Sequence, residues 1–101
     1  MSDVSLGEWR LVQVFLASKL AAVFEVEMHL GNTSLRCTCP GFLRRRTCKH
    51  VGFVEERIDR TRGTYPMEVT RQVTPDDARK AEYSAETFRD FVLHFGKVEV
   101  L

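Results

Sequence analysis

Apolar and polar positions alternate most plainly at residues 24–30, where Phe24, Val26, Met28 and Leu30 interleave with Glu25, Glu27 and His29. A period of two sends the two sets to opposite sides of an extended chain, so residues 23–30 are expected as a half-exposed strand. Gly31-Asn32 is a two-residue turn signal, and Thr33 to Thr38 returns as the second arm of a hairpin. Upstream, WRLVQVFLA at 9–17 is apolar and rich in β-formers and reads as a buried strand. A run this short does not separate a strand from a helical start by periodicity alone. Pro40-Gly41 breaks the returning arm. After a short basic loop, Thr47 is placed to cap a helix from about Cys48 to Arg60, with Val51, Val54 and Ile58 on one face.

The second half carries a stronger helical signature. TRGTYP at 61–66 reads as a linker turn, and MEVTRQV at 67–73 alternates well enough for a strand, Arg71 excepted. Thr74 then caps, Pro75 takes the first helical position, and Asp76 and Asp77 sit where the helix dipole favours acids. Ala78, Ala81, Ala85, Phe88, Val92 and Phe95 recur at helical spacing. That pattern predicts a long C-terminal helix ended by Gly96 as a C′ residue, with KVEVL closing as a short strand. A break at Tyr83-Ser84 would divide it into two helices. Together these elements predict an α+β fold: a small three-stranded antiparallel sheet, a ββα unit, then a strand and a long helix packed back. At 101 residues the chain fits one domain, 1–101, with a thin core. There is no internal repeat or low-complexity segment.

Charge changes the picture through its distribution. The net charge is only +1, yet residues 36–62 hold eight Arg or Lys against three acids, while residues 1–35 and 67–101 each sum to −2. A basic band lies between two acidic flanks. The most apolar stretch, Leu11 to Phe24, contains Gln13, Ser18 and Lys19 and falls short of the roughly 20 apolar residues of a membrane span. Asp3 and Glu8 precede it where a signal peptide carries basic residues. A cytoplasmic, reducing setting is therefore expected. The eleven Arg to four Lys are a bias associated with GC-rich bacterial or phage genomes.

The three cysteines fall within twelve residues, as Cys37-Thr38-Cys39, eight intervening residues, then Cys48-Lys49-His50. An odd number of thiols so closely spaced fits a metal rather than a disulfide framework. Zinc takes four N or S donors at tetrahedral corners, with Zn–S near ~2.3 Å, so two sulfurs on one ion stand roughly 3.8 Å apart. Residues i and i+2 of a strand rise about 6.6 Å. The Cys37-x-Cys39 pair must therefore lie where the strand curls, and Pro40-Gly41 supplies the bend. Cys48 and His50 come from the first turn of the following helix, whose free N–H groups favour thiolates. Three buried free thiols beside a satisfied histidine, or a redox C-x-C, are the alternatives; the latter leaves Cys48-x-His50 unexplained. His29 and His94 carry no ligand signal.

The sequence C-x-C-P-x-F at 37–42, a short loop, and C-K-H at 48–50 opening a helix after a β-hairpin resembles a SWIM-type zinc finger over about residues 22–60. The resemblance implies one zinc ion held by Cys37, Cys39, Cys48 and His50 and a role in binding DNA or protein. Such modules usually accompany helicase-like ATPases, transposases or ubiquitin ligases. None of those catalytic regions fits in this chain, so the broader activities do not carry over, and residues 67–101 form an extension to the finger.

A shell closed by four protein donors leaves no open position for catalysis. There is no nucleophile constellation, carboxylate pair or phosphate-binding Gly-rich loop, and Asp76-Asp77 reads as a helix start. A binding protein, not an enzyme, is expected. The best clue to its partner is Arg36, Arg44, Arg45, Arg46 and Lys49, a cluster able to contact nucleic-acid phosphates. Part of that charge balances the −1 of a zinc with three thiolates and a neutral His. Phe42 and Phe53 are expected in the core. The rival reading is a protein-interaction adaptor, and the helical stripe of the C-terminal segment could alternatively serve a dimer.

Overall fold

The computed structural model describes residues 9–17 and 22–101; Asp3, Glu8, Ser18 and Lys19, used above against a targeting segment, lie outside that range. The organising element is β1 (Trp9–Ala17), in which Leu11 through Phe15 are buried without a gap. A strand covered on both faces reads as a continuous apolar run, and so it does here but for Gln13. β2 (Ala22–His29) pairs antiparallel on one side of β1, and β3 (Leu35–Cys37) extends the sheet beyond β2. β4 (Val98–Val100) lies parallel to β1 on its other side. The sheet is thus four-stranded and mixed, in the order β3-β2-β1-β4, and not the three-stranded antiparallel sheet expected.

A bulge in β1 divides its side chains between two cores. Leu11 stands opposite Glu27 and Gln13 opposite Val26, so Val12 is the extra residue. Val12 and Phe15 join Val26, Cys37, Cys39, Val51 and Val54 in one cluster, under α1 (Pro40–Arg45) and α2 (Lys49–Arg60). Leu11 and Val14 meet Val92, Met67 and Phe88 in a second, under α4 (Ala85–Phe95). The alternation seen in β2 serves both: Val26 is wholly buried, while Glu25 takes a two-pronged pairing from Arg89 of α4, at 2.5 and 2.9 Å.

The predicted long helix is two. α3 (Pro75–Ala81) starts at Thr74 with the expected proline and acids and a capping box to Asp77. It stops at Glu82, and Ser84 starts α4 with a second capping box, to Thr87. That hydroxyl pair offers the backbone a local alternative to continuing the first helix. Residues 67–73 form no strand; Val69 makes a single bridge to Gly96. Both sides of β1 are already occupied by β2 and β4, and among 67–73 only Met67 reaches a core. The hairpin turn spans four residues, with Thr33 left-handed at φ 59° and its N–H bonded to the His29 carbonyl.

Gly96 caps α4 with an ordinary φ of −71°, so it is not there for a left-handed C′ turn. It is there for a close approach: a Cβ at this position would stand 2.6 Å from the Val92 carbonyl oxygen, which is backbone and cannot swing away. Gly96→Ala should therefore cost about 1–3 kcal/mol, measured by denaturant unfolding, with zinc content unchanged.

One polar network crosses the first core. Gln13 is buried, and its Nε2 donates to the carbonyls of Lys97 and Val14 at 2.7 and 3.0 Å. Its Oε1 accepts from the Tyr65 hydroxyl at 2.6 Å, and that hydroxyl accepts from Arg57 of α2 at 3.2 Å. Burial pushes Tyr65 up from the ordinary 10.0 to about 12, against the opposing pull of Arg57. The folded state therefore holds this proton more tightly than the unfolded chain. Its contribution is complete below pH 10.0 and lost as pH rises toward about 12. Unfolding free energies of the zinc-loaded protein should fall across that window. Tyr65→Phe should remove this dependence while lowering stability at neutral pH by about 1–3 kcal/mol, because Gln13 Oε1 loses its donor.

Candidate metal centre

The backbone around the cysteines is built so that two helices begin on a sulfur. β3 ends at Cys37, buried in the first core. Cys39 is the N-cap of α1, its Sγ accepting from the Phe42 N–H at 3.5 Å. Pro40-Gly41, expected as the strand break, and the start of the expected basic loop thus wind into a short helix, ended by Arg46 in a left-handed conformation at φ 60°. Cys48, not Thr47, is the N-cap of α2, its Sγ accepting from the Val51 N–H at 3.4 Å. Cys37 Sγ accepts from the Cys39 N–H at 3.5 Å. Each sulfur is thereby met by a backbone donor, an environment that stabilises thiolate.

His50, in the first turn of α2, completes the set. Its ring lies against Phe15 and Phe24, with centroids 4.9 and 5.4 Å away, and its Nδ1 stands 3.7 Å from Cys37 Sγ. The four donor atoms all lie within 4.8 Å of one another. A tetrahedral ion with the usual bond lengths needs donor separations of roughly 3.5–3.8 Å, so the cluster is the right size. Nδ1 is the nitrogen turned to the sulfurs, and Nε2 is buried with no hydrogen-bond partner among the described residues. Burial, and after it the charge of Lys49, hold His50 below its ordinary 6.5, keeping the imidazole neutral as ligation requires.

The thiols divide in their proton affinity. Burial pushes Cys37 up to about 12, and Cys48 is raised chiefly by burial too. Burial also acts upward on Cys39, but the Phe42 N–H, the two neighbouring thiols and the Gly41 N–H together outweigh it and lower this thiol. Without a metal Cys37 and Cys48 hold their protons firmly, and an ion has to displace them. Cys37, Cys39, Cys48 and His50 are positioned to bind one zinc ion.

The basic residues are less uniform than their sequence cluster. Arg36 lies 4.1 Å from the Trp9 ring centroid and pairs with Glu27 at 2.7 Å. Arg45 folds back over the start of α1: a Cβ on Gly41 would stand 3.6 Å from its guanidinium and 3.9 Å from Cys39 Sγ. Arg45 and Lys49 border the same hollow as Cys39 and Cys48. Arg44, Arg45, Arg46 and Lys49 are exposed and make no ion pair among the described residues. Arg57, Arg60, Arg79, Lys80, Arg89 and Lys97, by contrast, each face a carboxylate. Phe42 and Phe53 pack on the first core as expected. Trp9, twenty-seven positions before Arg36 in the chain, was not legible as a neighbour of the band; strand pairing brings it there.

Residues 12–59 match the family model described as SWIM zinc finger. This stretch of the chain is similar to SWIM zinc fingers, and the match begins inside β1, ahead of the hairpin that first signals it. Comparison with curated proteins and with solved structures returned no match. Among the described residues, no helix is long and apolar enough to cross a membrane.

The isolated protein should carry one zinc per chain, lost in Cys37→Ser and Cys48→Ser. X-ray absorption should show three sulfurs and one nitrogen. Because protonated thiols compete with the ion, affinity should fall steeply as pH is lowered. Zinc in small fingers contributes ~10–16 kcal/mol, on the scale of a whole domain's stability. A chelator should thus unfold at least residues 36–60, read by hydrogen exchange. A well-folded metal-free wild type would overturn the assignment.

Proposed function

We propose that this protein is a zinc-stabilised nucleic-acid-binding module, most readily of DNA, with no catalytic activity of its own. The observation that carries the reading is the set of unpaired cations around the metal centre. Arg44, Arg45, Arg46 and Lys49 stand together without carboxylate partners among the described residues, while Arg57, Arg60, Arg79, Lys80, Arg89 and Lys97 each face a carboxylate. Arg62 and Arg71 also lack one among the described residues but lie away from this cluster in the chain. Guanidinium groups free of internal pairing are available to phosphate oxygens, which they contact bidentately. The zinc ion has a structural role in this reading, since Cys37, Cys39, Cys48 and His50 supply all four tetrahedral positions.

One feature favours protein recognition instead. Between α3 and α4 runs a groove of about 450 Å³ whose walls include Ala81, Phe91 and Phe95, with Tyr83 exposed at its rim. Phe88 and Val92 of the helical stripe are engaged by the sheet. A dimer or adaptor contact through the C-terminal helices would then use the flank carrying Phe91 and Phe95, which lines that groove. Salt separates the two readings, because phosphate contacts release counterions and apolar ones do not.

Replacing Arg44, Arg45 and Arg46 with Ala leaves all four ligands in place, and exposed charges contribute little to folding. The triple variant should keep its zinc and fold. The slope of log affinity for DNA or RNA against log salt should shrink by roughly 2–3, with affinity dropping about equally for all sequences. Wild-type protein that binds neither nucleic acid at low ionic strength would place the adaptor reading first.

A further inference from the structure

We propose that the cleft between Trp9 and the end of α1 receives an unpaired base, so that the protein prefers single-stranded nucleic acid over duplex. This rests on the nucleic-acid reading above and specifies its ligand. The cleft measures about 530 Å³ and is lined by Trp9, Leu35, Arg36, Phe42, Leu43 and Arg46, a size in the range of ligand clefts, about 300–1,000 Å³. Its chemistry has two components. The walls are apolar and partly aromatic, and Leu43 is 72% exposed although it sits in a helix beside the core. Both charged groups on the lining are guanidiniums; no carboxylate lines it.

A nucleotide has the complementary pair of properties, a flat apolar body and an attached anion. Arg36 and Trp9 already form one stacked layer at 4.1 Å, held from below by Glu27 on Arg36 and by the edge of His29 against the indole at 5.2 Å. Bases stack on arginine planes as on aromatic rings, so a base can extend that layer while Arg46, on the same lining, meets the adjoining phosphate. Arg44 and Arg45 precede Arg46 in α1, and the strand leaving the cleft would run onto them. In a duplex the bases are paired and stacked inward. The cleft then stays empty and only the phosphate contacts remain. An acidic peptide is the other ligand this charge admits, but it lacks the flat face that a stacked Arg–Trp layer recognises.

Trp9 is the only tryptophan, so its emission reports on the cleft directly. The zinc-loaded full chain would be titrated with a short oligothymidylate, with a duplex of equal length, and with a Glu-rich peptide carrying one Phe. The single strand should bind more tightly than the duplex and alone quench Trp9. Trp9→Ala should weaken single-strand binding roughly tenfold while duplex binding and its salt slope persist. Leu43→Ala, an exposed change outside the core, should act in the same direction to a smaller extent, and keeps the test available if Trp9→Ala fails to fold. Equal binding of single strand and duplex without a change in Trp9 emission overturns the inference and leaves the nucleic-acid reading standing. Quenching by the peptide alone overturns it in favour of protein recognition. No binding of either nucleic acid removes the reading on which it rests.

Discussion

Three sulfurs and a ring nitrogen held within 4.8 Å of one another, at the edge of the main core, are the constraint on which the rest of this structure depends. As thiolates the sulfurs repel one another, and burial penalises their charge. An ion resolves both problems, and the local backbone is arranged around that solution. β3 ends on one ligand, α1 and α2 each start on another, and His50 is pressed against Phe15 and Phe24. Cys37 and Cys39 are themselves members of the hydrophobic cluster. The metal centre is therefore continuous with the core, which is what a chain too small to bury a large one requires.

The C-terminal half depends on the same centre at one remove. Its cluster with the sheet contains only Leu11, Val14 and Val92 as fully buried members, and at about 1.5–3 kcal/mol per side chain that is little against the entropy of ordering two helices. What holds it is attachment to β1. β4 lies parallel to β1, and a parallel neighbour needs a long crossover, supplied here by α2, α3 and α4. The return is clamped by Thr70 N–H on the Phe95 carbonyl, Lys97 N–H on Glu68, and Gln13 on the Lys97 carbonyl. Since β1 also carries Val12 and Phe15 of the zinc-side core, loosening the finger frees the strand on which the extension rests.

What was legible in the sequence was local. The bounds of β1, the alternation in β2, the Thr74-Pro75 helix start and the ligand spacing each depend on residues a few positions apart, and each is found in the structure. The misreadings came from competition between signals or from distance. The apolar stripe at 78–95 ran through Ser84, whose hydroxyl exchange with Thr87 proved sufficient to start a new helix. Alternation at 67–73 gave only a single bridge, Val69 to Gly96, and KVEVL took the place beside β1 instead. Cysteine as an N-cap went unread because Ser, Thr, Asp and Asn dominate that position, and Thr47 stood one residue away. The neighbourhood of Trp9, Arg36 and Arg46 is set by strand register and helix placement, which no short-range pattern encodes.

The arginines of α1 illustrate how far structural need accounts for charge. Arg44 and Arg45 occupy the last turn, where cations are favoured by the helix dipole. Arg45 and Lys49 also border the thiolate cluster, whose net charge with zinc and a neutral His is −1. Arg46 is the C-cap itself and does not border the thiolate cluster. It adopts a left-handed conformation at φ 60°, which costs a non-glycine residue about 1–2 kcal/mol and which glycine would adopt freely. Closing the helix does not call for a guanidinium there, and no carboxylate among the described residues pairs with it. The exposed guanidinium of Arg46 lines the apolar cleft beside Trp9, Arg36 and Leu43, and that position is what the nucleic-acid reading proposed above makes use of.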